Sequence, residues 1–281
     1  MRLHFCGVRG STPVAGAPFA RVGGRTSCIA VSAGARTRPT LLLDAGTGLQ
    51  CVAEDLGGAP FDGAILLTHL HWDHMQGLPF FPAADRPDAR TTVYMPAQGD
   101  PLALLERSMS PPHFPITPSE LRGAWSFRAL DEGAHRIEDY DVLALDIPHK
   151  GGRTFGYRVD DGTTSIAYLP DHAPLALGPG PDGLGARHEH ALALARDVDV
   201  LVHGGQFVEA EQKIASAYGH ATVEYAAHLA VESGARSLVL THHSPARVDD
   251  AVDELVRVAA KITGEIEVRA ATDGMIVDTG T

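Results

Sequence analysis

The sequence predicts a mixed α/β protein folded as one domain over residues 1–281. Three observations predict it. Short apolar runs recur, roughly a dozen of them, with helical stretches between them, the alternating order of an α/β fold. Gly, Pro and Asp clusters mark most boundaries between the runs. No Ser/Gly-rich or charge-rich linker and no fixed-period repeat divides the chain, and 281 residues suffice to bury a substantial core.

Composition narrows the function classes. Hydrophobic residues make up 44% and charged residues 21%, as in ordinary globular proteins. The 23 basic and 35 acidic side chains give a formal charge of -12. A polyanion-binding surface carries a basic excess or stripe, so long nucleic acid is disfavoured as a partner. A small anionic substrate is the expected one, because bound divalent ions offset negative charge locally. The three cysteines, Cys6, Cys28 and Cys51, lack Cys-x-x-Cys spacing, so no zinc knuckle is expected and they read as small buried hydrophobes. An odd cysteine count without an apolar N-terminal leader, and without any membrane-length apolar run, reads as a cytoplasmic protein. A homodimer is compatible with all of this.

In chain order, residues 3–6 read as a first strand. A loop punctuated by Gly and Pro follows at 7–13, and a second turn at 23–27. Strands come next at 28–32 and 40–43. Asp44-Ala45-Gly46-Thr47-Gly48 then turns the chain into a short helix at 49–56. The apolar run Ala64-Ile65-Leu66-Leu67 reads as a buried strand. It delivers Thr68-His69-Leu70-His71-Trp72-Asp73-His74, three histidines and one aspartate within six residues. Positions two apart on an extended segment share a side, so His69 and His71 can grip one ion. Asp73 and His74 follow where the chain turns and can face a second. Imidazole and carboxylate are ligands that zinc and related divalent metals accept.

His-x-His-x-Asp-His after an apolar strand resembles the metal motif of the metallo-β-lactamase superfamily of hydrolases. The loop at 7–13, the turn at 23–27 and Asp44 to Gly46 resemble, more narrowly, the ribonuclease Z-like phosphodiesterase branch, where such segments approach the metal cleft. Asp44 can then orient a metal-binding imidazole, or it can serve only its own turn. Where the branch has Glu after this glycine, the chain has Thr47.

Beyond the motif, a strand is expected at 91–95 and a helix at 101–109, with Pro101 in the first turn. The Pro-rich stretch 110–118 excludes regular structure. Its His113 and Phe114 either overhang a substrate site or pack on the core. Strands are expected at 124–130 and 142–147, the latter leading to His149. Residues 154–159 and 163–169 form a hairpin around Asp160-Asp161-Gly162, and its second strand leads to Asp171 and His172. A helix at 188–196 and a strand at 198–202 lead to His203. Tyr218-Gly219-His220-Ala221-Thr222 opens a helix at 223–233. The strand from 237 ends in Thr241-His242-His243. A helix at 249–262 and short strands at 265–269 and 275–277 close the chain.

The resemblance, spanning Gly7 to His242, implies a four-layer αββα sandwich with the metal site at one edge. It implies two divalent ions, zinc favoured over manganese or iron. His69, His71 and His149 would hold one, and Asp73, His74 and His242 the other, with Asp171 bridging. Gly-His-x-Thr before a helix, here Gly219 to Thr222 with Ala221 in place of Ser, marks the phosphodiesterase branch; lactamase, thioesterase and lactonase branches normally lack it. His220 matches a histidine poised over the leaving group, and with Asp73 it is expected to serve the reaction directly. His203 is expected to be structural, and His172 structural or exposed. Arg9, Arg25 and Arg153 are candidates for a phosphate clamp. The expected activity is hydrolysis of a small, cyclic or linear, phosphodiester. The alternatives are hydrolysis of a carboxylic ester, lactone or thioester, and cleavage of tRNA at its 3′ end. The last is disfavoured because the tRNA-holding arm of ribonuclease Z falls between the third histidine and the bridging aspartate. Here the hairpin fills that interval. A metal-binding module without activity is the third class.

Overall fold

A computed structural model describes residues 1–34 and 37–279. The first strand, β1 (Arg2–Gly7), already shows how the layers arise. Its side chains alternate between two faces. Leu3 and Phe5 enter an apolar core between two sheets, while Cys6 enters a different core on the outer side.

The first half of the chain continues with β2 (Cys28–Ser32), β3 (Leu41–Leu43), α1 (Leu49–Asp55), β4 (Asp62–Leu66), α2 (Trp72–Met75), β5 (Arg90–Pro96), α3 (Pro101–Glu106) and β6 (Ala124–Leu130). The second half comprises β7 (Gly133–Ile137), β8 (Tyr140–Asp146), β9 (Phe155–Asp160), β10 (Ser165–Leu169), α4 (Glu189–Ala195), β11 (Val200–Gly204), α5 (Gln212–Tyr218), α6 (Val223–Ser233), β12 (Ser237–Thr241), α7 (Asp249–Thr263), β13 (Glu267–Ala270) and β14 (Met275–Asp278).

These strands form two seven-stranded sheets, ordered β14-β1-β2-β3-β4-β5-β6 and β13-β12-β11-β10-β9-β8-β7. In the first sheet β3 to β6 run parallel, and in the second β10 to β13 do. The middle core joins residues of both sheets, among them Leu3, Val31, Leu66, Tyr157, Val202 and Val239. A second core seals the outer face of the first sheet with α1, and a third seals the second sheet with α4, α6 and α7. This is the expected αββα sandwich. Parallel strands covered on both faces read as continuous apolar runs, which is why β4 and β12 were legible in the sequence.

Most boundaries fall within a few residues of expectation, and three elements were not anticipated: the one-turn helix α2, where only a turn was expected, strand β7 and helix α5. Strand β7 is a half-exposed edge strand whose Gly-Ala-His-Arg-Ile has no apolar run. Helix α5 has one fully buried residue, Ala215, and is closed by Gly219 in the left-handed region (φ 85°). The expected helix at 101–109 ends at Glu106. The Asp160-Asp161-Gly162 turn forms as read, and it has a further role. The Asp161 carboxylate accepts from Thr163 and Thr164 and lies 3.2 Å from the N-terminal amine, tying the start of β1 to the second sheet.

The topology positions the site. Segments leaving the C-terminal ends of β3, β4, β8, β10 and β12 carry Asp44, His69 to His74, His149, Asp171 and His242 respectively. In open α/β sheets, functional groups collect beyond the carboxyl ends of the strands. Among the described residues no helix is long and apolar enough to cross a membrane.

Candidate metal centre

The structure brings all seven expected ligands together. Donor atoms of His69, His71 and His149 lie within 4.8 Å of one another, as do those of Asp73, His74 and His242. The two trios adjoin at Asp171. Its Oδ2 lies 3.0 Å from His74 Nε2 and 3.4 Å from His242 Nε2, and its Oδ1 lies 3.7 Å from His149 Nε2. One carboxylate thus faces both trios, the geometry a bridging ligand needs.

Neighbouring groups fix which nitrogen three of the imidazoles offer. His149 Nδ1 is 2.6 Å from the Gly219 carbonyl, which can only accept, so Nδ1 carries the proton and Nε2 is free. His74 Nδ1 donates to Asp44 Oδ2 at 2.7 Å, again freeing Nε2. Thr68 Oγ1 donates to Asp44 and accepts from His69 Nδ1 at 3.0 Å. His69 Nε2 is therefore free, and it is buried without a partner. Asp44 in this way orients one imidazole in each trio, the outer-carboxylate arrangement of many metal sites. It also accepts from the Thr68 backbone at 2.8 Å and from Tyr168 Oη at 2.8 Å.

The electrostatics fit cations. Three buried carboxylates, Asp44, Asp73 and Asp171, converge on the imidazoles. Burial opposes ionisation of Asp171, but the His242 and His74 rings outweigh it and hold its carboxyl well below the usual range. Burial likewise opposes the charged form of Asp73, and His74 and His242 again prevail. Burial disfavours a charged His74, yet Asp73, Asp44 and Asp171 raise it well above its ordinary value. Without ions the cluster demands positive charge. Burial, reinforced by the neighbouring His74, drives His69 the other way, keeping its lone pair free. His74 Nε2 and His242 Nε2 sit only 3.2 Å apart, and Asp171 Oδ2 lacks a hydrogen bond. Orphaned buried acceptors and crowded imidazoles are what divalent cations satisfy.

Backbone strain gathers here as well. Of the five non-glycine residues with positive φ among the described ones, Ser11, Asp44 and His242 belong to the site. The Ser11 backbone N–H donates to Asp73 Oδ2 at 2.6 Å. Gly10 beside it lets the His242 ring approach, since a Cβ there would meet the ring at 2.4 Å.

A cleft of about 740 Å³ opens over the centre, lined by Asp73, Asp171, His220 and His242 among others. Trp72 (71% exposed) and Tyr218 (59% exposed) stand on its wall. His220 is buried, with Nδ1 3.2 Å from Asp171 Oδ1, and forms a further close trio with His149 and Asp171. The pKa of the His220 ring departs from the ordinary imidazole value. Burial pushes it down to about 3, only partly countered by Asp171, so the ring is neutral.

Several other sequence expectations are corrected. None of the arginines proposed as a phosphate clamp faces the cleft. Arg9 is fully buried and donates to the carbonyls of Gly23, Ser244 and Arg247. Arg25 pairs with Glu54, and Arg153 with Asp146. His172, read as structural or exposed, is structural: it is buried and packs on His203 and Tyr225. His203 donates to the Gly204 carbonyl and joins no donor group among the described residues. Of the two readings of His113 and Phe114, packing on the core holds for Phe114, and neither residue lines the cleft. Phe114 packs on the outer core and against Phe80, and both residues line a hollow of about 440 Å³ that shares Trp72 with the cleft. Sequence reading missed Ser11, Tyr168 and the Gly219 carbonyl. Only the Gly-rich loop gave a signal, for Ser11.

A family model described as a beta-lactamase superfamily domain matches residues 40–243. The chain belongs to the metallo-β-lactamase superfamily. It is thus a metal-dependent hydrolase. Within that superfamily its relatives are of the ribonuclease Z-like branch. It is 27% identical to the Ribonuclease Z of Haloarcula marismortui, over 98% of this chain and 96% of that one. It is 30% identical to the Ribonuclease Z of Synechococcus sp., over 64% and 68% of the two chains. Among solved structures, the metallo-β-lactamase fold protein YhfI of Bacillus subtilis matches with a TM-score of 0.70 and 18% identity, over 98% of each chain. The superfamily's divalent ions find a fitting donor set in this cluster.

Asp44 gives a direct test of this arrangement. Asp44→Ala is expected to weaken metal affinity roughly 10–100-fold, the usual effect of losing an outer carboxylate. It also strands four buried donors, so the thermal midpoint should fall. Chelator competition and thermal unfolding measure the two effects. Unchanged affinity would remove Asp44 from its orienting role.

Proposed function

We propose that the chain is a dinuclear metal-dependent phosphodiesterase acting on a small phosphodiester, cyclic diesters included. His69, His71 and His149 would hold one ion and Asp73, His74 and His242 the other, with Asp171 placed to serve both. Zinc is the ion the donor set favours, with manganese or iron as substitutes. The ions, when bound, acidify water and neutralise charge growing on phosphate oxygens.

The chain's own residues supply the rest. Asp73, held ionised and fixed by the Ser11 N–H, would serve as ligand and as a hydrogen-bond acceptor that orients the attacking water. His220 faces the cleft beside Asp171 and donates a hydrogen bond to the leaving oxygen. As a neutral ring it stabilises developing charge through its N–H rather than through a full positive charge. Trp72 and Tyr218 offer aromatic faces on which a base can stack. The single observation that carries the phosphodiester reading is His220, presented at the start of α6 by Gly219-His220-Ala221-Thr222 and seated against the bridging carboxylate.

Cleavage of tRNA is the second reading, favoured by the names of the sequence relatives. Three observations weigh against it. Between His149 and Asp171 the chain holds only β9, β10 and their turns, which leaves no place for an arm there. The formal charge is -12. The alignment with the Haloarcula protein runs over 315 positions against 281 residues here, so that protein carries segments this chain lacks. A cleft of about 740 Å³ suits a ligand of nucleotide size.

The test is a side-by-side assay of zinc- or manganese-loaded protein on 2′,3′- and 3′,5′-cyclic nucleotides and on a 3′-extended precursor tRNA. The expected result is turnover of a small diester with little or no tRNA cleavage. Efficient tRNA cleavage with no small-diester turnover would overturn the small-substrate reading and keep the phosphodiester chemistry.

A further inference from the structure

A second set of metal donors lies on the outer face of the first sheet, beneath α1. His4 and Cys6 are two apart on β1, so they share a face, opposite to Leu3 and Phe5. Cys51 and Asp55 are four apart in sequence, one turn along the α1 region, so they stack on one side of it. Strand spacing and helix spacing meet. Donor atoms of His4, Cys6, Cys51 and Asp55 lie within 4.8 Å of one another. His4 Nδ1 is 2.7 Å from Asp55 Oδ2, which directs Nε2 toward Cys51 Sγ, 4.0 Å away. The three cysteines are free and buried, and Cys28 supplies a third thiol beside Cys6. His4 is partly exposed and Asp55 about half exposed, so the cluster opens to solvent on that side.

We propose that His4, Cys6, Cys51 and Asp55 form a third metal site, for zinc, separate from the hydrolytic centre. Two thiols, one imidazole and one carboxylate are a tetrahedral zinc set, and sulfur donors select zinc over the harder divalent ions. Asp55, paired with His4 Nδ1 while no ion is bound, turns from that contact onto the ion to complete the set. Without an ion, crowding by neighbouring thiols and burial push Cys6 and Cys51 upward, so both are protonated and zinc binding releases their protons. The Cys-x-x-Cys criterion missed the site because its donors come from β1 and α1, some forty-five residues apart in sequence. The ion's role is structural. It ties α1 to β1, and α1 begins just after the turn that carries Asp44.

The experiment uses the full reduced chain loaded with cobalt(II). The hydrolytic centre offers only imidazole and carboxylate, so a thiolate-to-cobalt charge-transfer band in the near ultraviolet can arise only at cysteine. Wild type should show the band. Cys51→Ser should lose it and, when loaded with zinc, should hold one ion fewer per chain. His4→Ala, at a partly exposed position, is the second variant should Cys51→Ser fold poorly, and it should weaken the band. A wild-type protein without the band at saturating cobalt, or a band undiminished in both variants, would overturn the proposal.

Discussion

Asp171→Ala is expected to abolish turnover and to strip ions from both halves of the centre. The two oxygens of Asp171 face opposite trios, Oδ2 toward His74 and His242 and Oδ1 toward His149. Removing the carboxylate therefore weakens both trios at once. If the ions supply several kcal/mol of charge stabilisation, and each 1.36 kcal/mol is tenfold in rate, the loss is on the order of 10³-fold or more. His242→Ala touches only one trio and should lower the occupancy of that half alone. Elemental analysis after reconstitution, together with turnover, reads both variants. Asp171→Ala with wild-type metal content and rate would refute the bridging role. Neither nearby carboxylate could then easily take it over, because Asp146 is paired with Arg153 and Asp44 already accepts from four donors.

His220→Ala should separate phosphodiester chemistry from ester chemistry. With no ligand role for His220, the variant should keep its fold and its ions. On a diester with an alkoxide leaving group it should lose roughly 10²–10³-fold, the usual worth of one donor aimed at developing charge. With p-nitrophenolate as leaving group the loss should be much smaller, because that ion departs readily without help. Steady-state rates of wild type and variant on an alkyl and a nitrophenyl diester give the comparison. Equal losses on both substrates would remove His220 from the leaving-group role. Loss of metal would move it into the ligand set instead, as its closeness to His149 and Asp171 allows.

The site was legible in the sequence where one strand end carries several of its residues. His69, His71, Asp73 and His74 follow the apolar run of β4, so period and spacing located them, whereas Asp171 and His242, beyond β10 and β12, were singled out only by the family resemblance. Asp44 was left open between an orienting role and a turn, and only the 2.7 Å contact with His74 decided it. Tyr168 gave no signal at all. It reads as one more core residue of β10, and its hydroxyl meets Asp44 only after the two sheets pack. The arginines misled for a related reason. A charged side chain in a glycine-rich loop suggests a ligand, yet Arg9 is buried as a clasp for three backbone carbonyls. Edge strand β7 and helix α5 escaped because neither presents an apolar stripe. The protonation state of His220 depends on burial, which no local sequence pattern encodes.

The most direct test of the phosphodiesterase account holds the leaving group constant and changes the reacting centre. Bis(p-nitrophenyl) phosphate and p-nitrophenyl acetate both release nitrophenolate, so their kcat/KM values on one metal-loaded preparation compare phosphorus with carbonyl directly. The account predicts diester turnover that chelation removes and zinc or manganese restores, with no matching metal-dependent ester turnover. Metal-dependent ester hydrolysis with the diester left intact would contradict it.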